Sequence, residues 1–160
     1  MTPAIQLLEK HRIPFQLHHY VHDDACTEYG QEAAVKLGVS PDLMYKTLVV
    51  QDDGGTLALA LVRVSDLVDL KRLADALGCK KARLADASKA EKTTGYVLGG
   101  ISPLGTRKPL PVLVDTSLVQ QSSLFISAGK RGCQLELSAS DLIHLLAAQV
   151  VPLAVSGGGK

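Results

Sequence analysis

Met44-Tyr-Lys-Thr-Leu-Val-Val50, Asp52-Asp-Gly-Gly55 and Thr56-Leu-Ala-Leu-Ala-Leu-Val-Arg63 follow one another with only Gln51 between the first two. Two strand-forming runs flank a cluster of turn residues, so the stretch reads as a β-hairpin. Upstream, Thr2 and Pro3 form an N-cap and N1 pair for a helix to about Lys10, with Ala4, Leu7 and Leu8 inward. Phe15 to His22 alternates and predicts a strand; Gln31 to Leu37 predicts a short helix stopped by Gly38, and Ser40-Pro41 starts one further turn. Downstream, Asp69 caps a helix to Leu77 that Gly78 ends, and Asp86 to Thr93 forms another that Gly95 ends. Val112–Val114, Leu124–Ser127 and Cys133–Leu137 predict strands, the last two joined by the turn Ala128-Gly-Lys-Arg-Gly132. Ser140 is expected to cap a helix to Ala147, with a short apolar strand after it. Strands that meet by hairpins as well as by crossovers predict a mixed sheet with packed helices, not a doubly wound parallel sheet.

The chain has 160 residues, enough for one domain, expected over 1–155 with a flexible tail over 156–160. Aromatic residues are 4% and Trp is absent, so the core must be aliphatic. Cys26, Cys79 and Cys133 are scattered and odd in number, which argues against a disulfide framework and suits a reducing cytoplasm. No run approaches the ~18 apolar residues of a membrane span, so a soluble cytoplasmic protein is expected. Net charge is +1, but residues 1–70 carry −5 and residues 71–131 carry +7. That division suits a domain with one basic face, although from charge alone a solvated lysine-rich surface is the first reading.

Lys46 lies in an otherwise apolar strand on the face of Leu48 and Val50. An inward ammonium needs an anionic partner, which an anion-binding site supplies; an edge lysine reaching solvent is the plain alternative. His18, Tyr20 and His22 share one face of their predicted strand, but no cysteine or carboxylate motif accompanies the two imidazoles and no metal is expected. Residues 94–105 hold four glycines, a proline and the Ser102 hydroxyl, in a loop able to approach a phosphate or a polarised carbonyl. The turn Ser127-Ala-Gly-Lys-Arg-Gly132 offers a hydroxyl and two cations without a nucleotide-hydrolysis motif. No cysteine has a base beside it and no nucleophile elbow is present, so any chemistry relies on positioning.

These segments resemble, in order and across nearly the whole chain, the YbaK family of aminoacyl-tRNA deacylases, related to the editing domain inserted in bacterial prolyl-tRNA synthetases. The carrying strings are Tyr45-Lys46-Thr47, Thr93-Thr-Gly-Tyr96, Gly99-Gly-Ile-Ser-Pro-Leu-Gly105 and Ser127 with Gly129-Lys-Arg-Gly132. The resemblance implies one α/β domain, a mixed and partly closed barrel-like sheet with flanking helices around a small pocket. It implies release of cysteine from mischarged Cys-tRNA(Pro), and from Cys-tRNA(Cys), without a cofactor. It assigns catalytic positions to Lys46, Tyr20 and Gly100, and substrate-binding positions to Gly99, Ile101, Ser102, Pro103, Ser127, Gly129 and Gln134. Lys130 and Arg131 are the expected RNA contacts. Relatives often carry an acid near the position of Gln134, so amine recognition is expected to differ here.

The mechanism so implied has the substrate's own thiol attack its ester, with the Gly99 and Gly100 amides stabilising the oxyanion. The 3′ CCA end of the tRNA and a prolyl-tRNA synthetase are the expected partners, and a monomer or a homodimer would serve. Two alternatives stay open: a deacylase for Ala-tRNA or another small amino acid by water attack, and a binding module without turnover.

Overall fold

The computed structural model describes residues 1–157. Among the described residues there are five short α-helices, α1 (Pro3–Lys10), α2 (Tyr29–Leu37), α3 (Leu70–Leu77), α4 (Ala87–Thr94) and α5 (Ala139–Leu146), and all but α2 start at a side-chain cap. Thr2 accepts from the Ile5 N–H, Asp69 from Lys71 and Arg72, and Asp86 from Lys89. Gly38, Gly78 and Gly95 end three of the helices in the left-handed region that their missing Cβ permits. The cap of α5 is Ser138 rather than the expected Ser140, because only Ser138 stands three residues ahead of the Asp141 N–H it accepts.

The strands are β1 (Phe15–His19), β2 (Tyr45–Gln51), β3 (Leu57–Arg63), β4 (Asp66–Val68), β5 (Arg83–Leu84), β6 (Val112–Asp115), β7 (Ser123–Ser127), β8 (Cys133–Ser138), β9 (Gln149–Val151) and β10 (Ala154–Ser156). The expected hairpin is β2–β3, with Lys46 opposite Val62. It sits inside a five-stranded mixed sheet, β5-β2-β3-β6-β9, in which β3, β6 and β9 run parallel. A three-stranded antiparallel sheet, β1-β8-β7, meets it through a bridge between Met44 and Phe125. The main sheet is mixed and flanked by helices, as expected; β4 and β10 form a separate antiparallel pair, and no closed barrel forms among the described residues. β1 ends at His19, three residues earlier than its alternation suggests: the Tyr20 N–H still bonds the Gly132 carbonyl in the same register, but beyond Gly132 the paired chain turns back to β7 and leaves no strand to pair with. Ser156 pairs with Asp66 in β10, one residue beyond the expected domain end, whereas residues 158–160 of the expected tail lie outside the described residues.

Both faces of β2–β3 are covered. On one, Tyr45, Val49, Leu59 and Leu61 pack on α1 and on the apolar faces of β7 and β8. On the other, Val50, Ala58, Ala60 and Val62 lie under Leu73 of α3. A third group joins Ala33 and Ala34 of α2 to Met44, Val64 and Phe125. The returning C-terminal chain is held by one buried carboxylate, Asp115, which accepts from the Leu153 N–H at 2.9 Å, Ala154 at 3.0 Å and Ser117 at 3.1 Å. Burial alone would raise its pKa, but these donors outweigh it and the carboxyl lies below its ordinary value. Asp115→Ala leaves three backbone donors without an acceptor, and the loss expected in urea unfolding at pH 7 is about 3 kcal/mol or more.

Candidate active site

A cleft of about 520 Å³ opens where the first half of β2 meets β4, the start of α2, the loop 98–101 and the ends of β7 and β8. Lys46 enters it because the hairpin register aims its side chain toward β4, where its Nζ donates to the Asp66 carbonyl at 2.7 Å. The lysine is half-buried rather than turned out to solvent. Burial lowers its pKa, opposed by the negative charges of Asp66 and Glu28. The Asp66 carboxylate is itself engaged by Arg63 at 2.9 Å.

Two further lining groups have unmet hydrogen-bonding capacity. The Thr47 Oγ1 and the Gln134 Oε1 are buried and have no partner among the described residues. Native interiors seldom leave such atoms unpaired, and a cleft is where a ligand can complete them. The lining holds threonine and serine hydroxyls, one ammonium and Glu28, but no cysteine and no histidine among the described residues. Such a cleft can bind, orient and neutralise charge; it holds no side-chain nucleophile with a base beside it.

One wall is built from three distant segments. Arg131 donates from Nε to the Leu98 carbonyl at 2.7 Å and from Nη2 to the Tyr29 hydroxyl at 3.2 Å. Its guanidinium also lies 4.9 Å from the Tyr29 ring centroid. Gly99 has φ +84°, and a Cβ there would stand 2.5 Å from the Tyr29 ring. Glycine is required at that position on both counts. From behind, Glu91 accepts from the Leu98 N–H at 2.9 Å.

Of the residues expected at the site, Lys46, Gly99, Ile101, Ser127 and Gln134 line this cleft. Gly100 does not: its N–H is bonded to the Val97 carbonyl at 2.9 Å, and a Cβ would stand 2.7 Å from the Lys130 Cα. It packs the loop on the hairpin instead of presenting an amide to a substrate. Ser102 and Pro103 are buried behind the cleft, the Ser102 Oγ accepting from Leu104. Gly129 packs on Tyr96 and Thr2. Tyr20 packs with the Met44 and Phe125 group, off the cleft, and burial pushes its pKa up. Arg131 braces the wall, while Lys130 is exposed. His18 and His22 bind separate carboxylates, Glu136 at 2.9 Å and Glu32 at 2.7 Å. Tyr29, Thr47 and Asp66 are lining residues that the sequence reading missed. Thr47 had a signal, since it adjoins Lys46; Tyr29 and Asp66 reach the cleft only through tertiary packing.

The profile of the aminoacyl-tRNA editing domain matches residues 24–145. The chain belongs to that family. A protein of Enterococcus faecalis named "Putative Cys-tRNA(Pro)/Cys-tRNA(Cys) deacylase EbsC" is 32% identical over 144 residues, 90% of this chain and 87% of the relative. The proline–tRNA ligase of Moorella thermoacetica is 32% identical over 104 residues, 65% of this chain but only 18% of that larger protein. The fold is shared with a crystal structure described as "a putative trans-editing enzyme for prolyl tRNA synthetase", with TM-score 0.81, 24% identity and coverage of 98% of this chain and 99% of that one. The mixed single-domain architecture is therefore that of the editing family. Among the described residues, no helix is long and apolar enough to cross a membrane.

In this editing domain, the approach to α2 is fixed by Glu32. Its carboxylate accepts from His22, from the Asp23 N–H at 2.7 Å and from Lys36 at 3.0 Å. Burial would raise the Glu32 pKa, but these donors lower it from 4.5 to about 2. A depressed carboxyl stabilises the fold fully above its unfolded pKa and loses that contribution as pH falls through the folded one. Glu32→Gln is therefore expected to be less stable than the native chain at pH 7, with the gap closing between about pH 4.5 and 2. Thermal melts across that range read it.

Proposed function

We propose that this editing domain removes cysteine from mischarged Cys-tRNA(Pro), with Cys-tRNA(Cys) as a second substrate of the same chemistry. One observation carries the reading: a half-buried ammonium faces a cleft lined by no cysteine or histidine among the described residues. A site so equipped suits a substrate that brings its own nucleophile. The names of its relatives support the same substrate class. A volume of about 520 Å³ suits a terminal nucleoside with a small aminoacyl group.

In the proposed step the cysteinyl thiolate attacks its own ester carbonyl. The C–S bond forms, the C–O bond to the terminal ribose breaks, and the ribose oxygen takes a proton. The product is a four-membered thiolactone, which water then opens to free cysteine. Lys46 offsets the negative charge that develops, and the Gly99 backbone is the nearer candidate for oxyanion contact because the Gly100 amide is occupied. Folding the substrate so that thiol and carbonyl meet exploits the high effective molarity of an intramolecular attack. Gln134 and Thr47 would receive the substrate's α-amine. The small surface of the domain suits a prolyl-tRNA synthetase partner that supplies tRNA selectivity.

Deacylation of Cys-, Ala- and Pro-tRNA(Pro) is the deciding assay. Loss of cysteine alone is expected, slowed by about 100-fold or more in Lys46→Ala, a range typical of a removed charge-stabilising donor. Alanine released as fast as cysteine would rule out attack by the substrate thiol, and release of neither would leave a binding protein.

Gln134→Leu separates binding from folding. Replacing a buried, unpaired acceptor by an apolar isostere is nearly neutral or stabilising, so the melting temperature should hold or rise. KM for Cys-tRNA(Pro) should increase about tenfold, the equivalent of one hydrogen bond to the substrate.

A further inference from the structure

The charge division of the sequence has a local counterpart in space. α4 exposes Lys89 and Lys92, three residues apart and so on one face, while its acid, Glu91, turns away to hold the Leu98 N–H. The segment behind the helix doubles back on the same end. The Arg107 N–H bonds to the Thr94 carbonyl at 2.9 Å and the Lys108 N–H to Thr93 at 3.1 Å. The Arg107 guanidinium reaches the Lys92 carbonyl at 3.4 Å. All four cations are exposed. Among the described residues none of them lies within 4.0 Å of a carboxylate, the ion pairs being His18–Glu136, His22–Glu32, Lys36–Glu32 and Arg63–Asp66.

Arg107 is partly explained as a cation at a helix C-terminus. Lys89 and Lys108 have no such account. The exposed face of α4 carries no large apolar residue, which does not suit insertion into a lipid surface. Unpaired cations without apolar neighbours suit a phosphate backbone, where each can displace a counterion.

We propose that Lys89, Lys92, Arg107 and Lys108 form a docking surface for the RNA backbone of the acceptor stem whose 3′ end enters the cleft. The inference rests on the editing reading of that cleft. The placement fits it: four residues of chain take Thr94, at the end of α4, to Leu98 on the cleft wall, a reach of at most about 14 Å. That is about four nucleotide steps at ~3.4 Å each, so a 3′ end in the cleft brings the adjoining backbone alongside α4. Lys130 and Arg131, the cations first expected to meet RNA, are less suited. Arg131 is committed to the wall, and Lys130 borders a second hollow that also contains Glu9.

The test compares the triple variant Lys89→Ala/Lys92→Ala/Lys108→Ala with a control of equal charge change, Lys10→Ala/Lys71→Ala/Lys81→Ala. Arg107 is left in place in both because it also supports the chain behind α4. Binding of tRNA(Pro) is followed by anisotropy from low to moderate salt, and turnover is measured on Cys-tRNA(Pro) and on a cysteinyl-CCA trinucleotide. The patch variant is expected to bind tRNA about tenfold more weakly, with its log–log salt slope shallower by about 3, one unit for each phosphate that a lysine no longer neutralises. Its turnover of the trinucleotide should match the native rate, and the control should match the native protein throughout. Unchanged tRNA affinity, an equal loss in the control, or an equal loss of trinucleotide turnover would each overturn the proposal. So would patch-dependent binding to anionic vesicles or polyglutamate without binding to tRNA. Patch-dependent tRNA binding by a native chain that releases no cysteine would keep this surface and remove the proposed activity.

Discussion

Covering both faces of one hairpin is the constraint on which the rest of this molecule depends. β2 and β3 are packed by α1 and the three-stranded sheet on one side and by α3 on the other. Almost every side chain of the pair is therefore apolar, and Lys46 is the one charged residue of β2. Its ammonium can be tolerated there only where the covering layers leave a gap and a backbone acceptor. Both are found at β4, whose short course brings the Asp66 carbonyl to 2.7 Å. The cost of partial desolvation is what lowers the lysine pKa, and it is also what makes the charge effective toward a bound anion.

The cleft around this lysine is assembled by polar ties between elements far apart in sequence. Arg131 of the β7–β8 turn binds the 98–101 loop and Tyr29, Glu91 of α4 binds the same loop from behind, and Glu32 binds the chain that leads into α2. Arg131 and Glu91 act on backbone or neutral partners and Glu32 also on Lys36 and His22; none of the three lines the cleft, so they fix its geometry from outside it. Among the described residues, the buried lining atoms without a partner are the Thr47 hydroxyl and the Gln134 carbonyl oxygen, beside an ammonium whose one bond is to the Asp66 carbonyl. That set can bind and neutralise charge and is poorly matched to nucleophilic catalysis by the protein.

The same economy separates two populations of cations. Lys36, Lys46, Arg63 and Arg131 are engaged by carbonyls, carboxylates or an aromatic ring. Those of α4 and the segment behind it point to solvent, because Glu91, the acid that could have paired with them, is engaged on the opposite side. Cations engaged within the fold are thereby kept apart from solvent-facing ones on adjoining elements.

Local signals determined much of this protein. The hairpin, the caps at Thr2, Asp69 and Asp86, and the glycine stops at Gly38, Gly78 and Gly95 were legible because each depends on residues within one turn or one strand pair. Lys46 stood out for the same reason, as a charge inside an apolar run. The strings that identify the family were legible too, but they mix two kinds of residue. Gly100 packs on the β7–β8 turn, Gly129 on Tyr96 and Thr2, and Ser102 and Pro103 are buried, whereas Gly99, Ser127 and Gln134 face the cleft. Sequence cannot separate packing glycines from lining ones, since both demand the absence of a Cβ. The three-residue strands β4 and β10 were hidden because they are too short to carry a period, yet β4 supplies the acceptor for Lys46. Tyr20 packs with Met44 and Phe125 whereas Tyr29 lines the cleft beneath Arg131, a choice between two tyrosines that no local pattern marks. That choice is made by a contact more than a hundred residues away in the chain, which only the folded structure brings together.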